Sequence, residues 1–308
     1  MSGDAHTGKA ADQKPGMKLG EETLSDPALP EVKTLNPPEG TPSAEHRDFA
    51  SRRFVLATDL DGTFLGGSEA DRRALYEWID ANRDEVGLIF VTGRDPEFLE
   101  ELCRGPVPWP DYVVGDVGTT IARMEFSDDE PGQGRVKPIE ALEEQIAAIW
   151  DDAGPRVRAA LDGHPGLTLQ PTPFRYRVSY DYDPETFDPS AIDIVKEIGH
   201  DPLISADIFF DVLPRGVSKG PSLLRLLAFL GVAEHKTLAA GDTLNDLSML
   251  DMDVPAVAVG NSEPGLVKRL RDRDTLHRAR AHGAGGILEA IAALGLHPSP
   301  PSPQKTAA

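Results

Sequence analysis

The sequence of 308 residues has little cysteine, few aromatic side chains and a shortage of positive charge. Cys103 is the only cysteine, so the chain can form no internal disulfide, which is typical of proteins in the reducing cytoplasm. No hydrophobic stretch approaches the length of about 20 residues that a membrane-spanning helix needs. The N-terminus also lacks the basic and then apolar segments of a signal peptide. We therefore expect a cytoplasmic protein without membrane contacts.

Positive charge is scarce, because 31 Lys and Arg residues stand against 51 Asp and Glu residues, which gives a formal net charge of -20 at pH 7. Proteins that bind nucleic acid carry basic surfaces, so this balance argues against nucleic acid as a partner. The same charge would repel an anionic substrate. Attraction would then have to come from local cations, namely a divalent metal and a few well-placed Lys or Arg side chains.

From Arg52 onward, predicted strands and helices alternate along the chain. Apolar runs predict strands, and apolar residues at helical spacing predict helices. Strands are predicted at residues 53–58, 87–91, 112–114, 236–240 and 254–259, and helices at residues 71–82, 96–103, 223–230, 246–250 and 285–294. This alternation is typical of an α/β fold with a doubly wound parallel sheet.

The middle of the chain, residues 122–208, has a different pattern. Its predicted elements, after a turn-rich opening, are helices near 141–161 and 190–199 and strands at 167–171 and 175–182. We interpret this segment as an inserted α+β domain that divides the core domain into residues 51–121 and 209–296. Residues 1–50 and 297–308 are rich in Pro, Gly and charge, and we predict that both are disordered tails.

Asp59 and Asp61 follow the first predicted strand and are themselves followed by Gly62 and Thr63. Two carboxylates at this spacing suit phosphoryl transfer, because one can attack phosphorus while the other handles the proton of the leaving group. The alternative is an ordinary turn after a strand, since Asp and Gly are both common turn residues.

Two further motifs carry groups that can hold a phosphate. Thr92 directly follows a predicted strand, so its hydroxyl can donate to a phosphate oxygen, and Gly93 allows the backbone to approach closely. Lys219 opens a predicted helix, where the helix dipole disfavours a cation. A role in holding a phosphate or a nucleophilic carboxylate would explain this placement, although a solvated surface lysine is the alternative.

The fourth motif contains Asp242, Asn245 and Asp246 after another apolar strand. Carboxylates and an amide grouped in this way suit an octahedral ion with oxygen ligands such as Mg²⁺. Asp246 can equally well be a simple helix cap, and the two roles are compatible. In open parallel sheets the carboxyl ends of the strands form one crevice, so we expect all four motifs to meet there.

The order of these motifs resembles that of the haloacid dehalogenase superfamily: Asp-x-Asp-Gly-Thr, then Thr-Gly after a strand, then Lys, then Gly-Asp-x-x-Asn-Asp. The large insert between the second and third motifs is similar to the type IIB cap of that superfamily. The resemblance extends over residues 52–296. It implies a Mg²⁺-dependent phosphatase with a Rossmann-like core, a cap domain that determines specificity, and an aspartyl-phosphate intermediate.

The resemblance implies a role for each matching residue. Asp59 is the expected nucleophile and Asp61 the expected general acid/base. Thr92 would hold the transferring phosphoryl group, and Lys219 would neutralise it and orient the nucleophile. The expected Mg²⁺ ligands are Asp59, Asp61 through its backbone carbonyl, Asp242 and Asp246. The expected substrate-binding residues of the core motifs are Thr92, Gly93, Lys219 and Asn245.

Within the superfamily, residues 209–220 and the strand candidate that contains Arg177 resemble sucrose-phosphate phosphatase and its disaccharide-phosphate relatives. Arg177, which we expect to face outward, stands where that family has Lys. Gly118 and Thr119 belong to a turn similar to the family's Gly-Thr-Glu-Ile, with Thr120 in place of Glu. We expect a sugar phosphate substrate, in particular a disaccharide phosphate such as sucrose phosphate or mannosylfructose phosphate. Its predicted contacts outside the four motifs are Arg177, Gly118 and Thr119.

Two alternatives to a phosphatase stay open. The same subfamily includes phosphohexomutases, in which the phosphoenzyme returns its phosphate to the sugar. The other alternative is a sugar-phosphate-binding regulator with a degenerate site, although every catalytic position of the motifs is intact. The resemblance also leaves room for a glycosyltransferase as a protein partner.

Overall fold

The computed structural model describes residues 44–126, 133–172, 174–205 and 207–301. Its strands are β1 Phe54–Thr58, β2 Val86–Val91, β3 Tyr112–Gly115, β4 Thr120–Phe126, β5 Gly134–Pro138, β6 Leu167–Leu169, β7 Val178–Tyr182, β8 Asp201–Ser205, β9 Phe209–Leu213, β10 Thr237–Gly241, β11 Ala256–Ala258 and β12 Leu276–Arg278. Its α-helices are α1 Ala44–Ser51, α2 Glu69–Ala81, α3 Pro96–Leu102, α4 Glu140–Trp150, α5 Gly154–Ala160, α6 Ser190–Glu197, α7 Lys219–Leu230, α8 Leu247–Leu250, α9 Pro264–Arg269 and α10 Ala284–Ala293.

The larger sheet has eight strands in the order β12-β11-β10-β1-β2-β3-β4-β5. The strands from β12 to β3 pair in parallel, whereas β4 and β5 add an antiparallel edge. The adjacent strands β1 and β10 are buried at every residue, as parallel strands covered on both faces should be. Their carboxyl ends lie side by side at one edge of the sheet.

Helices cover both faces of the larger sheet. Along β1, Val55 and Ala57 contribute to one hydrophobic cluster, together with the leucines of α7. Phe54 and Leu56 point to the opposite face and join a second cluster with residues of α2 and α10. Because successive side chains of a strand face opposite sides, one apolar strand supplies both layers. The predicted doubly wound parallel sheet is confirmed.

A second, antiparallel sheet has the order β6-β7-β9-β8. Its covered face packs against α4, α5 and α6 through a third hydrophobic cluster that includes Trp150, Val157, Val195 and Phe210. We refer to this sheet and its three helices as the cap. The predicted α+β insert in an α/β core is therefore present as a separate layer with its own hydrophobic core.

The predicted limits of the insert, residues 122–208, do not coincide with the limits of the two sheets. Strands β4 and β5 pair with the larger sheet, so the first part of the predicted insert extends the core. Strand β9, predicted to belong to the core, lies in the cap sheet between β7 and β8. Local sequence patterns indicate that a segment is a strand, but the choice of pairing partner depends on contacts that are distant in sequence.

The predicted tails are also too long. Residues 44–51 form helix α1, and Phe49 is 3% exposed, with its ring 4.9 Å from that of Tyr112. At the other end, His297 is buried against Trp78, whose indole nitrogen donates to the carbonyl of Ser299 at 2.8 Å. Single apolar and aromatic residues anchor these segments to the core. Single residues produce no periodic pattern, so the sequence did not predict that these segments are ordered. The remaining parts of the predicted tails, 1–43 and 302–308, lie outside the described residues.

Most predicted elements agree with the structure within a few residues, and the side chain of Asp95 caps α3 by accepting a hydrogen bond from the backbone nitrogen of Phe98 at 2.9 Å. The strand predicted at 175–182 begins only at Val178, and the helix predicted at 223–230 begins earlier, at Lys219. The prediction omitted β4, β5, β8, β9, β12, α1 and α9. None of the helices in the described ranges combines the length and hydrophobicity that crossing a bilayer requires.

We expect Phe49→Ala to lower the free energy of unfolding by about 3–5 kcal/mol, because it removes a buried ring and leaves a cavity beside Tyr112. Urea unfolding followed by circular dichroism would measure the change. Phe126→Ala is the matched control, since Phe126 is 55% exposed and the same truncation should cost less than about 1 kcal/mol there. Equal effects of the two variants would contradict the structural role of α1.

Candidate active site

Asp59 and Asp61 follow β1, where the chain turns sharply at Gly62. Asp59 is 5% exposed, and its backbone nitrogen donates to Ala240 of the neighbouring strand at 2.8 Å. Gly62 has φ +78°, and a Cβ atom there would lie 2.2 Å from Oδ2 of Asp242. Only glycine allows the loop to approach that carboxylate so closely. The Gly of the Asp-x-Asp-Gly motif is therefore required by the geometry of the site.

Lys219 lies at the start of α7 and is completely buried. Its Nζ atom is 2.6 Å from Oδ1 of Asp59 and 2.7 Å from Oδ1 of Asp246. Burial alone would disfavour the ammonium, but the two carboxylates outweigh it and raise the pKa of Lys219. A charged lysine is thus fixed between two motifs that are far apart in sequence.

Asp242 and Asp246 are held in place by donors around the end of β10. Oδ2 of Asp246 accepts hydrogen bonds from the backbone nitrogens of Asp242 at 2.9 Å and Thr243 at 3.0 Å, as in a helix capping box. Oδ1 of Asp242 accepts from the hydroxyl of Thr63 at 3.0 Å, and Oδ2 from the amide of Asn261 at 3.1 Å. Asp246 is therefore both a cap and a partner of the buried lysine, as the sequence allowed.

The carboxylates of Asp59, Asp242 and Asp246 form a cluster in which one oxygen from each lies within 4.8 Å of the others. Burial, followed by the charge of Asp246, raises the pKa of Asp242 to about 7. Burial also raises the pKa of Asp59, against the effect of Lys219. Three buried carboxylates share one ammonium, so the donor set fits a divalent cation with oxygen ligands. Asp61, which is predicted to bind the metal through its backbone carbonyl, contributes no side-chain oxygen to this cluster.

The side chain of Asp61 points towards solvent and is 54% exposed. The guanidinium of Arg94 holds both of its oxygens, with Nε–Oδ2 at 2.7 Å and Nη2–Oδ1 at 3.0 Å. Arg94 also lies over the ring of Phe98, with 4.6 Å between its Cζ atom and the ring centroid. In this arrangement Asp61 is accessible from the cleft, and Arg94 fixes the direction of its carboxylate.

Thr92 and Gly93 follow β2 at the same edge of the sheet. Thr92 is fully buried, and its Oγ1 atom accepts a hydrogen bond from the backbone nitrogen of Arg94 at 3.1 Å. The carbonyl of Gly93 accepts from Nη2 of Arg177 in the cap at 3.2 Å. The segment from Thr92 to Arg94 thus contacts Asp61, the candidate general acid/base, through Arg94. It contacts the cap through Gly93.

Gly118 and Thr119 lie in the loop after β3, packed against the start of α7. Gly118 has φ +101°, a Cβ atom there would lie 2.4 Å from the carbonyl carbon of Ser218, and its own carbonyl accepts from Ser222 at 2.7 Å. Thr119 is 2% exposed, and its hydroxyl donates to the carbonyl of Asp116 at 2.9 Å. These residues shape the loop beneath the Lys219 segment, and the hydroxyl of Thr119 already has an internal partner.

Arg177 does not face outward, as the sequence predicted. It precedes β7, is 7% exposed, and its Nη1 atom is 3.2 Å from Oδ1 of Asp211 in the cap. Its Nη2 atom is 3.6 Å from Oδ1 of Asp116 in the core, and its Cζ atom is 3.6 Å from the centroid of Phe174. The expectation failed because β7 begins three residues later than predicted, so that Arg177 lies just outside it, and because two carboxylates compensate the buried charge. Arg177 consequently links the cap to the core.

Asn245 lies between Thr243 and Asp246, and its Oδ1 atom accepts from the hydroxyl of Thr243 at 2.9 Å. The sequence analysis did not identify Arg94 or Asn261, both of which contact the aspartates of the motifs. Arg94 directly follows Thr92 and Gly93, and Asn261 follows β11 at the edge where the other motifs end. Asn261 was also predictable from the sequence, because polar residues that follow parallel strands share one crevice.

Comparisons with known proteins identify a matching family, related sequences and related folds. The family model described as sucrose-6F-phosphate phosphohydrolase matches residues 52–295. The glucosylglycerol-phosphate synthase of Pseudomonas anguilliseptica is 40% identical over 79% of the chain, but the match spans only 31% of that relative. The mannosylfructose-phosphate phosphatase of Agrobacterium fabrum is 28% identical over 79% of the chain and 98% of its own length.

Among solved structures, the sucrose-phosphatase of Synechocystis sp. PCC6803, determined with sucrose and phosphate, has a TM-score of 0.68 and 26% identity over 79% of this chain and 98% of its own. A family model that covers most of the described residues, a matching fold and the converging motifs all lead to one assignment. The chain belongs to the sucrose-6F-phosphate phosphohydrolase family and is thus a phosphoric monoester hydrolase.

Proposed function

We propose that this protein hydrolyses the phosphate monoester of a small glycoside in two steps, with Asp59 as nucleophile and Mg²⁺ as cofactor. The observation that carries the proposal is the position of Lys219, whose ammonium contacts Asp59 at 2.6 Å and Asp246 at 2.7 Å in a fully buried site. A buried ammonium at this point keeps the nucleophilic carboxylate oriented and offsets the charge of an incoming phosphate. Both tasks are needed before an aspartate can attack a dianion.

In the first step, an oxygen of Asp59 bonds to phosphorus, and the bond between phosphorus and the sugar oxygen breaks. Asp61, at the open side of the cleft, gives its proton to that oxygen. In the second step, water attacks the phosphorus of the aspartyl-phosphate, Asp61 takes the proton of the water, and Asp59 leaves as a carboxylate. Thr92 and Gly93 would donate hydrogen bonds to the phosphoryl oxygens, and Asn245 would contribute from the other side of the site.

We propose that Asp59, Asp242 and Asp246, with the carbonyl of Asp61, hold Mg²⁺. When bound, the ion would neutralise charge on the phosphate and on the nucleophile. The donor set supports this assignment, because three buried carboxylates have one ammonium among them, and both Asp59 and Asp242 have raised pKa values. Hydrogen bonds from Thr63 and Asn261 fix the orientation of Asp242, as second partners of metal-binding carboxylates commonly do.

For the substrate, we propose a glycoside phosphate, with glucosylglycerol phosphate tested first. The relative at 40% identity is named for the synthesis of that compound, and the matched segment is about a third of its length. The relative at 28% identity is named as a phosphatase of mannosylfructose phosphate, which belongs to the same chemical class. A glycosyltransferase that forms the phosphorylated glycoside is the partner that we propose, and the cytoplasm is the proposed compartment.

Phosphate release with and without Mg²⁺ tests the proposal. The panel is glucosylglycerol phosphate, mannosylfructose phosphate, sucrose 6-phosphate, glucose 6-phosphate and p-nitrophenyl phosphate. We expect Mg²⁺-dependent release from at least one glycoside phosphate, with a kcat/KM well above that for glucose 6-phosphate. Conversion of a hexose phosphate to its isomer without free phosphate would instead identify a mutase, and binding without turnover would identify a regulator.

We expect Asp59→Asn to reduce turnover of p-nitrophenyl phosphate by a factor on the order of 10³ or more, because the amide cannot act as the nucleophile. The fold should persist, since the substitution removes one of three clustered carboxylates and conserves shape. Phosphate release and thermal unfolding would be measured together. Asp80→Asn, on the exposed face of α2, is the control. A folded Asp59→Asn protein with normal turnover would refute the mechanism.

The raised pKa values predict how pH affects the metal-free protein. The pKa of Asp242, about 7, exceeds the ordinary value of 3.8 in the unfolded chain, and burial shifts Asp59 in the same direction. Between about pH 4 and pH 7 the folded state therefore binds more protons than the unfolded state, so stability falls as pH rises. Mg²⁺ binds the deprotonated carboxylates and should offset this loss.

We accordingly expect millimolar Mg²⁺ to raise the unfolding temperature more at pH 8 than at pH 5. Differential scanning fluorimetry at both pH values would measure the two shifts. Asp242→Asn should abolish most of the Mg²⁺ effect at pH 8, while the Asp80→Asn control should retain it. A Mg²⁺ shift that is the same at both pH values, or unchanged in Asp242→Asn, would contradict the proposed ligand set.

A further inference from the structure

The junction between cap and core holds two polar atoms that the described residues leave without hydrogen-bond partners. They are Oδ1 of Asp116, in the loop after β3, and Nε of Arg177, just before β7. Asp116 is 8% exposed and Arg177 is 7% exposed as whole residues, and their side chains are 11% and 6% exposed, so both side chains are largely buried. An unsatisfied buried acceptor and an unsatisfied buried donor each cost free energy, and here they lie close together.

The remaining polar atoms of both side chains are occupied. Oδ2 of Asp116 accepts from the hydroxyl of Thr120 at 2.6 Å, so the carboxylate cannot turn freely. Arg177 donates to Asp211 and to the carbonyl of Gly93, both at 3.2 Å. Its Nη2 atom lies 3.6 Å from Oδ1 of Asp116, beyond hydrogen-bonding distance. The structure therefore fixes both groups and leaves one atom of each available.

The backbone around Asp116 is strained and connects directly to the phosphate-binding motif. Asp116 and Val117 have φ values of 51° and 59°, a left-handed conformation that is unfavourable for a β-branched residue. The backbone nitrogens of Asp116 and Val117 donate to the carbonyls of Arg94 and Thr92, both at 3.0 Å. Such strain persists where several contacts determine the conformation, and it is common at ligand-binding sites. Asp116 is thereby fixed next to the loop that carries Thr92.

We propose that Asp116 is a specificity-determining residue whose Oδ1 atom accepts a hydrogen bond from a hydroxyl of the leaving group, while Nε of Arg177 donates to the same hydroxyl. A hydroxyl is both donor and acceptor, so one such group satisfies both free atoms. A phosphate oxygen could serve only the arginine, and an ammonium only the aspartate. The inference rests on the proposed function, because it concerns the alcohol that the phosphatase releases.

Entry of the leaving group requires the cap to move. Asp116 belongs to the core and Arg177 to the cap, so separation of the two sheets exposes both free atoms together. A polyhydroxylated leaving group that enters the open cleft would reconnect them when the cap closes, with the phosphate at the neighbouring Thr92. Recognition of the alcohol and closure over the phosphate are thereby coupled through one hydroxyl. A leaving group without hydroxyls gains nothing from this contact.

The test compares Asp116→Asn with the unmodified chain on two substrates. Glucosylglycerol phosphate has hydroxyls on its leaving group, whereas the leaving group of p-nitrophenyl phosphate has no further hydroxyl. We expect kcat/KM for glucosylglycerol phosphate to fall about 10-fold, because the neutral amide oxygen accepts a weaker hydrogen bond from the hydroxyl than the carboxylate oxygen does. We expect kcat/KM for p-nitrophenyl phosphate to change less than about 3-fold. Asn tolerates the positive φ at this position, so the loop should be conserved.

Two further variants complete the experiment. Arg177→Lys keeps the positive charge but removes Nε together with the Nη atoms that contact Asp211 and Gly93. It should therefore lower kcat/KM for glucosylglycerol phosphate at least as much as Asp116→Asn does, and the loss in the double variant should be smaller than the product of the two single losses. Asp152→Asn is the control, since Asp152 also has a positive φ of 48° but is exposed and lies in the turn after α4. The control should leave both substrates unaffected.

Each other result is informative. Equal losses on both substrates would indicate a structural role for Asp116 and overturn the inference. An unchanged kcat/KM for glucosylglycerol phosphate in Asp116→Asn would also overturn it. Turnover of p-nitrophenyl phosphate alone by the unmodified chain would also overturn it, but would leave the phosphatase activity standing. Failure to release phosphate from any substrate of the panel would instead overturn the proposed function itself.

Discussion

The contact of the buried Lys219 ammonium with Asp59 and Asp246 is the constraint on which the rest of the site depends. It joins the end of β1, the end of β10 and the start of α7, three points brought together by the parallel sheet. A charge buried to this extent is tolerated only when partners surround it, and removing the lysine would leave both carboxylates uncompensated. The same contact therefore holds the elements together and orients Asp59, the proposed nucleophile.

Around this contact the molecule has two polar regions with different organisation. The core edge has an excess of carboxylate, with Asp242 as a third acid near one ammonium, which suits a divalent cation. The junction of cap and core instead has a buried guanidinium, Arg177, between Asp211 and Asp116. In the proposed reaction the first region would hold the phosphate and its metal, and the second would contact the alcohol that is released. The loop from Thr92 to Arg94 connects the two, since its backbone and side chains contact both.

How much could be predicted from the sequence depends on the kind of contact involved. The strands of the core were predictable because a parallel strand buried on both faces is a continuous apolar run, as in β1 and β2. The clustering of Asp59, Lys219 and Asp242 followed from the rule that the carboxyl ends of such strands share a crevice. The limits of the cap were not predictable, because the pairing partners that place β5 in the core sheet and β9 in the cap sheet are set by contacts distant in sequence. Helix α1 was missed because a single aromatic residue anchors it.

The sequence by itself determined the α/β core, the order of the motifs and the chemical types of the groups at the core edge. These depend on local periodicity and on residue identity, which are encoded within short segments. Only the tertiary structure decided that Arg94 holds Asp61, that Arg177 is buried between two carboxylates, and that one acceptor of Asp116 lacks a partner. These features join residues about 30 to 90 positions apart and arise from the packing of one layer on another, so no local pattern can record them.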